Sequence, residues 1–224
     1  MLILRRLCLA IRALPKSVVF NLRYFALKDA IRLPVLVSHQ VWLKRAEGTV
    51  VLDVPSELLK PGLIKIGFGD VGIFDRRYSR TVWDVSGKVV FRGRTLIGHG
   101  SRVSVSGTLI LGADFTITAE STIVCRKEIR IGAGCLVSWD VLILDSDFHK
   151  IYDESNERLN DDAPVEIGDR VWIGCRTLIL KGVRIDAGCV LGANSTLIKT
   201  IEGDHKLIAG NPARIVRENI KWEA

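Results

Sequence analysis

A period of six residues constrains this chain more than any other feature. The aliphatic series Ile167, Ile173, Ile179, Ile185, Leu191, Leu197 runs unbroken. A glycine often follows the aliphatic (Gly168, Gly174, Gly192), and the fourth position after it is small or aliphatic (Val171, Thr177, Val183, Cys189, Ser195, Ile201). Three positions of the repeat therefore agree. The same register recurs upstream as Leu111, Ile117, Ile123 and, after a two-residue insertion, Ile131, Val137, Ile143, with Ile97 and Val103 as an earlier, weaker coil. Six residues advance an α-helix by about 600°, which would scatter these side chains over several faces. Short strands joined by tight corners suit the period. The aliphatic points inward, and the following Gly, Asp or Asn accepts the turn conformation. Three hexads make an eighteen-residue coil, and stacked coils bury one another's faces. The expected fold is all-β, a parallel β-helix.

Composition narrows the class. With 224 residues, 48% hydrophobic, 25% charged, 20 Gly and 6 Pro, the chain has the profile of one folded domain with a small appendage, and collagen, coiled coil and disorder are excluded. The apolar stretch at 33–43 is too short to span a bilayer, and Arg5, Arg6 and Arg12 interrupt what would be the apolar core of a signal peptide, so a cytoplasmic protein is expected. Five cysteines (Cys8, Cys125, Cys135, Cys175, Cys189) form no C-x-x-C pair and read as small buried apolar residues. Residues 1–45 carry nine Lys/Arg against the single acid Asp29, so the whole positive excess sits at the N-terminus. No nucleic-acid module accompanies it, and no nucleic-acid partner is expected. Interleaved with Leu2, Ile3, Leu4, Leu7, Leu9, Ile11 and Leu14, these charges suit peripheral contact with an anionic inner-membrane surface or a lipid-linked glycan. A solvated helix face or a contact between subunits is the plainer alternative.

The run from Pro164 through Ile167-Gly168-Asp169-Arg170-Val171-Trp172-Ile173-Gly174, then Gly192-Ala193-Asn194-Ser195, then Ala209-Gly210-Asn211-Pro212-Ala213-Arg214, resembles the hexapeptide-repeat acyltransferases. More narrowly it is similar to the maltose, galactoside and polysaccharide O-acetyltransferases over about residues 91–220. The resemblance implies a left-handed parallel β-helix, an exception to right-handed crossovers that periodicity does not reveal. It also implies a homotrimer with active sites in the grooves between subunits. Residues 1–60 lie outside the match and read as a basic segment with a short helix and strand-like stretches at 34–42 and 49–54. Residues 61–224 read as the repeat domain, closed by a short helix over 213–222.

His149 is the leading catalytic candidate. The repeat breaks after Ile143 and resumes at Ile167, so His149 falls on a polar insertion, which in a solenoid becomes a protruding loop. An imidazole there can take a proton from a hydroxyl as acyl transfer begins. The resemblance matches His149 to the family's catalytic histidine. Asp147 or Asp145 lies near enough in sequence to orient its ring, and Asp145 also counts as an acceptor-side candidate. Where the sugar acetyltransferases carry an acceptor-binding Asn, this chain has Thr118, and a nearby acidic position is Arg126. Trp139 is a further acceptor-side candidate. For the donor, acetyl-CoA, the resemblance points to Cys175, Ala193, Ile198, Lys199, Arg214 and Arg217, small residues for the pantetheine arm and cations for the phosphates.

Two other motifs are set aside. Gly67-Phe68-Gly69-Asp70-Val71-Gly72 spells G-x-G-x-x-G, but no helical stripe follows and no acid stands twenty residues on. His99, His149 and His205 are each solitary, so the three-histidine zinc site of a γ-type carbonic anhydrase is not expected, and no metal is predicted. The reading is an acyl-CoA-dependent O-acetyltransferase acting on a sugar hydroxyl of a cell-surface polysaccharide precursor, by direct transfer. N-acylation of an amino nucleotide-sugar, O-acetylation of serine and a non-catalytic scaffold are the alternatives.

Overall fold

In the computed structural model, which describes residues 2–69, 71–75 and 78–223, the chain winds into a three-faced parallel β-helix. The first face runs from Val35–Val37 to Val190–Leu191 and Leu207–Gly210, the second from Trp42–Ala46 to Thr196–Leu197, and the third from Thr49–Leu52 to Arg184–Ile185. Ile167, Ile173, Ile179, Ile185, Leu191 and Leu197 are all at most 4% exposed. The fourth-position residues Val171, Thr177, Val183, Cys189, Ser195 and Ile201 are buried as well. Each fully buried aliphatic contributes roughly 1.5–3 kcal/mol, so the inward column is the main stabilising element.

Two features of the repeat differ from the sequence reading. The lower coils hold twenty residues, since Ile97 pairs with Ile117, Val103 with Ile123 and Leu111 with Ile131. The upper coils hold eighteen, as Ile173 with Leu191 and Ile167 with Ile185 show. The two-residue insertion thus recurs in each lower coil, at the corner between second and third faces (Ser86-Gly87, Ser106-Gly107, Arg126-Lys127). Nor do the glycines after the aliphatics supply the turn conformation. That falls two residues later, on Arg170, Arg176 and Asn194, with φ of 53°, 59° and 58°. Gly174 is needed because the next coil comes too close: a Cβ there would lie 2.6 Å from the carbonyl oxygen of Leu191.

The N-terminal segment is also more integrated than its sequence suggests. Helix α1 (Leu2–Tyr24) has 23 residues, and the strands at 35–37, 42–46 and 49–52 form the first coil of the β-helix itself, so the coils begin well before residue 61. α1 covers the open edge of the first face. The Asn21 amide donates to the Val35 carbonyl at 2.6 Å and accepts from the Val35 nitrogen at 3.2 Å, while Ser17 Oγ accepts from the Val37 nitrogen at 2.9 Å. These two side chains stand in for a neighbouring strand, removing the exposed edge that would otherwise invite aggregation. Phe20 packs edge-on against buried Trp83 at 5.5 Å, plugging that end of the core.

The closing helix expected over 213–222 is not formed. Ala213–Arg217 is a strand, antiparallel to Leu207–Gly210. The last parallel strand leaves backbone groups unpaired, and a hairpin satisfies them where a helix could not. At the G-x-G-x-x-G stretch the strand Ile64–Phe68 ends and turns follow. No helix opens there among the described residues, and Asp70, Arg76 and Arg77 lie outside them.

Candidate active site

The repeat is interrupted at the corner between second and third faces, where the chain leaves Leu142–Leu144 and returns at Val165–Ile167. In the coils below, both corner nitrogens donate to one backbone carbonyl of the next coil: Ser86 and Gly87 to Val105, Ser106 and Gly107 to Cys125. For Arg126 and Lys127 the acceptor is instead the side chain of Asp145, its two oxygens 2.7 and 2.8 Å from their backbone nitrogens. The carboxylate stands in for Asp145's own carbonyl, which is the counterpart of the Cys125 carbonyl but accepts instead from the Ala163 nitrogen at 3.2 Å. Asp145 is fully buried and engaged in this way, so it is a structural cap and neither orients His149 nor faces an acceptor. Burial, followed by the Asp145 charge, pushes the Cys125 thiol strongly up and keeps it protonated.

Asn160 organises the loop from inside. It is 7% exposed; its Nδ2 donates to Asp147 Oδ2 at 2.9 Å and to the His149 carbonyl at 2.8 Å, and its Oδ1 accepts from the Ile151 nitrogen at 2.7 Å. Lys181, on the next coil at the same corner, reaches across with Nζ 2.6 Å from Asp147 Oδ2 and 2.9 Å from the Asp161 carbonyl. Lys127 Nζ donates to the Asp162 carbonyl at 3.0 Å from below. Hydrogen bonds from Lys181 first, then Asn160, hold the Asp147 carboxyl below the usual range. Asp147 therefore anchors the loop to the scaffold, and its carboxylate is not the partner of the His149 ring.

His149 itself is fixed through its backbone. Its nitrogen donates to the Asp147 carbonyl at 2.7 Å, its carbonyl is held by Asn160, and its imidazole is exposed, with no hydrogen bond among the described residues. Next to it, Phe148 takes a left-handed conformation (φ 62°), and its ring lies 5.3 Å from the Arg126 guanidinium. The geometry presents an unengaged imidazole to solvent from a loop tied down on three sides.

The other candidates fall into separate groups. Trp139, Cys175 and Ala193 stack on successive coils at the corner between first and second faces, where the Arg176 nitrogen bonds the Trp139 carbonyl at 3.1 Å and the Asn194 nitrogen the Cys175 carbonyl at 2.8 Å. Ile198 and Lys199 are exposed one coil beyond Lys181, on the same corner as His149. Arg214 and Arg217 are exposed on the closing hairpin. Thr118 Oγ1 is enclosed on the first face and has no hydrogen-bond partner among the described residues; the segment at Gly69 approaches its backbone. Within one chain, then, the second face separates the His149 loop from Cys175 and Ala193. Asn160 and Lys181 were missed from sequence, because a polar loop residue and a lysine before a corner glycine look like ordinary solvated positions.

The bacterial transferase hexapeptide model (six repeats) matches residues 164–199. A crystal structure of the polySia-specific acetyltransferase NeuO superimposes with a TM-score of 0.57, covering 83% of this chain and 89% of that one at 22% identity. Residues 164–199 thus carry the hexapeptide repeat of bacterial transferases, and the coils share the left-handed parallel β-helix fold. Among curated relatives, the polysialic acid O-acetyltransferase of Escherichia coli O1:K1 / APEC is 32% identical over 132 residues, 58% of this chain and 41% of that protein. The polysialic acid O-acetyltransferase of Neisseria meningitidis is 41% identical over 104 residues, 46% of this chain and 48% of that protein. The chain thus matches about half the length of these relatives.

Proposed function

We propose that this protein is an acetyl-CoA-dependent O-acetyltransferase that modifies a sugar hydroxyl of a cell-surface polysaccharide, with His149 as general base. The observation that carries the reading is the His149 imidazole, unengaged and exposed on a loop whose backbone Asn160 locks in place. The names of the relatives, both O-acetyltransferases of a polysaccharide, support the reaction class.

In the proposed step one imidazole nitrogen takes the proton of the sugar hydroxyl as its oxygen attacks the thioester carbonyl carbon. The new C–O bond forms, the C–S bond breaks, and the coenzyme A thiolate leaves and recovers a proton from the imidazolium. No acyl-enzyme is needed, and a base so placed is typically worth about 10² to 10⁴ in rate. Cys175 is half-exposed and Ala193 exposed, so backbone and small side chains can lie against the pantetheine arm, while Lys199, Arg214 and Arg217 are exposed and can meet phosphates.

A homotrimer completes the site in this reading. The outer side of the second face carries an apolar column (Val124, Leu142, Leu144, Leu178, Leu180, Ile198), whereas the third face is charged and self-paired, with Arg130 and Glu128 at 2.8 Å. Packing second faces against neighbours buries the column and lets the donor residues of one subunit meet the His149 loop of another.

The deciding experiment is calorimetric titration of acetyl-CoA into the wild type, His149→Ala and Arg214→Glu, followed by transfer assays on capsular glycans with free-thiol detection. The expected result is that His149→Ala binds the donor like wild type but loses transfer by about 10² to 10⁴-fold, while Arg214→Glu binds weakly. Absence of donor binding in all three proteins would overturn the acyltransferase reading in favour of a scaffold.

A further inference from the structure

Helix α1 has two apolar sides, and the fold uses one. Ala13, Ser17, Phe20 and Asn21 are buried against the first coil at 0–1% exposure. The opposite side presents Ile11, Leu14, Val18, Val19 and Leu22 to solvent, at 57, 44, 40, 64 and 54% exposure. At about 100° per residue these five span an arc of roughly 140°, a continuous stripe along the helix. Arg12 and Arg23 border that arc, and Leu27 and Ile31, 69 and 70% exposed, continue the exposed apolar surface beyond the helix beside Lys28 and Arg32.

We infer that this side of α1 is a docking surface for an anionic phospholipid bilayer, on which the β-helix is held with the α1 end toward the lipid. Charge selects this occupant over a second copy of the chain. Arg12, Arg23, Lys28 and Arg32 lie beside this surface against the single acid Asp29, so pairing two such surfaces would bring together like charges. A polyanion such as nucleic acid would match the charge but leave the apolar stripe in water. A bilayer with acidic headgroups satisfies both, taking the stripe to the depth of the acyl boundary while the arginines remain among the headgroups. The contact is peripheral, because no helix among the described residues is long and apolar enough to cross a membrane. It stands apart from the proposed chemistry: the stripe lies at the first coil, whereas His149 leaves a later one.

Co-sedimentation of the full chain with vesicles tests it, comparing phosphatidylglycerol–phosphatidylcholine mixtures with phosphatidylcholine alone. The double variant Val18→Ser, Leu22→Ser alters only exposed side chains and leaves the Asn21 and Ser17 contacts intact; Arg12→Glu reverses one bordering charge. Binding is expected to the anionic vesicles only, to weaken with salt, and to fall by roughly tenfold or more in either variant, with melting temperature and sedimentation mass unchanged. Three results would overturn the proposal: wild-type protein left in the supernatant with anionic vesicles, variants that bind as well as wild type, or a sedimentation mass that drops in the double variant, which would make the stripe a contact between subunits.

Discussion

The carboxylate of Asp145 caps the backbone nitrogen of Arg126 at 2.7 Å, a place filled in lower coils by a main-chain carbonyl, and it does so at the coil where the chain leaves the repeat. One side chain thereby lets the corner ladder end without orphaned donors and frees the following residues to form the loop that carries His149.

Removing that cap leaves two partly buried N–H groups without an acceptor, each costing up to about 1–3 kcal/mol. Asp145→Ala is therefore expected to destabilise by about 3 kcal/mol, lowering Tm by roughly 6–12 °C for a chain of this size. Asp145→Asn, which retains one acceptor oxygen, should lose about half as much. Thermal unfolding followed by circular dichroism checks the order, and an unchanged Tm for Asp145→Ala would rule the cap out.

Asn160 and Lys181 hold the loop without touching the imidazole. Asn160→Ala and Lys181→Met are expected to lower kcat by roughly 10-fold or more through misplacement of His149, with donor affinity preserved, and Lys181→Arg should recover much of the loss. If both variants keep full kcat, the loop does not need its anchors.

The Asp147–Lys181 pair sets a pH dependence whose sign is fixed. Because the folded carboxyl is held below its ordinary range, the anchor is complete above the unfolded value near ~3.9 and is lost as pH falls through the lowered folded value. Proteolysis within residues 150–162 by an acid-tolerant protease should therefore be flat from neutrality down to about pH 5 and rise only below about pH 4. Lys181→Met should raise cleavage even at neutral pH. A rise in the wild type near pH 6 would point to a different titrating group.

Among the cysteines with described side chains, Cys175 alone is not buried. Burial pushes the Cys135 thiol up to about 11 and raises those of Cys125 and Cys189, so these three should resist alkylation in the native protein. In a Cys8→Ser background, one equivalent of thiol reagent is expected to react, at Cys175, and acetyl-CoA should slow it. Peptide mapping that finds modification elsewhere, or no protection by acetyl-CoA, would remove Cys175 from the proposed donor site.

The six-residue period fixed the coils because it acts locally. An aliphatic every six residues can be buried together only on short strands with corners, and a break between Ile143 and Ile167 can only leave the stack as a loop, so the β-helix and the position of His149 were both legible in the chain. Partner choice was not. Asp145 and Asp147 look alike in sequence, yet one is sealed against Arg126 and Lys127 and the other is paired with Lys181. Which acid does which depends on which coil stacks against the corner. The terminal segment shows the same limit: residues 213–222 have helical spacing, but the unpaired edge of Leu207–Gly210 offers backbone partners that outweigh local propensity, and Ala213–Arg217 pairs as a strand. Inward burial repeats with the covalent chain and can be read from it; the hydrogen-bond and ion-pair partners of Asp145 and Asp147 come from across the loop and from neighbouring coils, and only the folded stack brings them within reach.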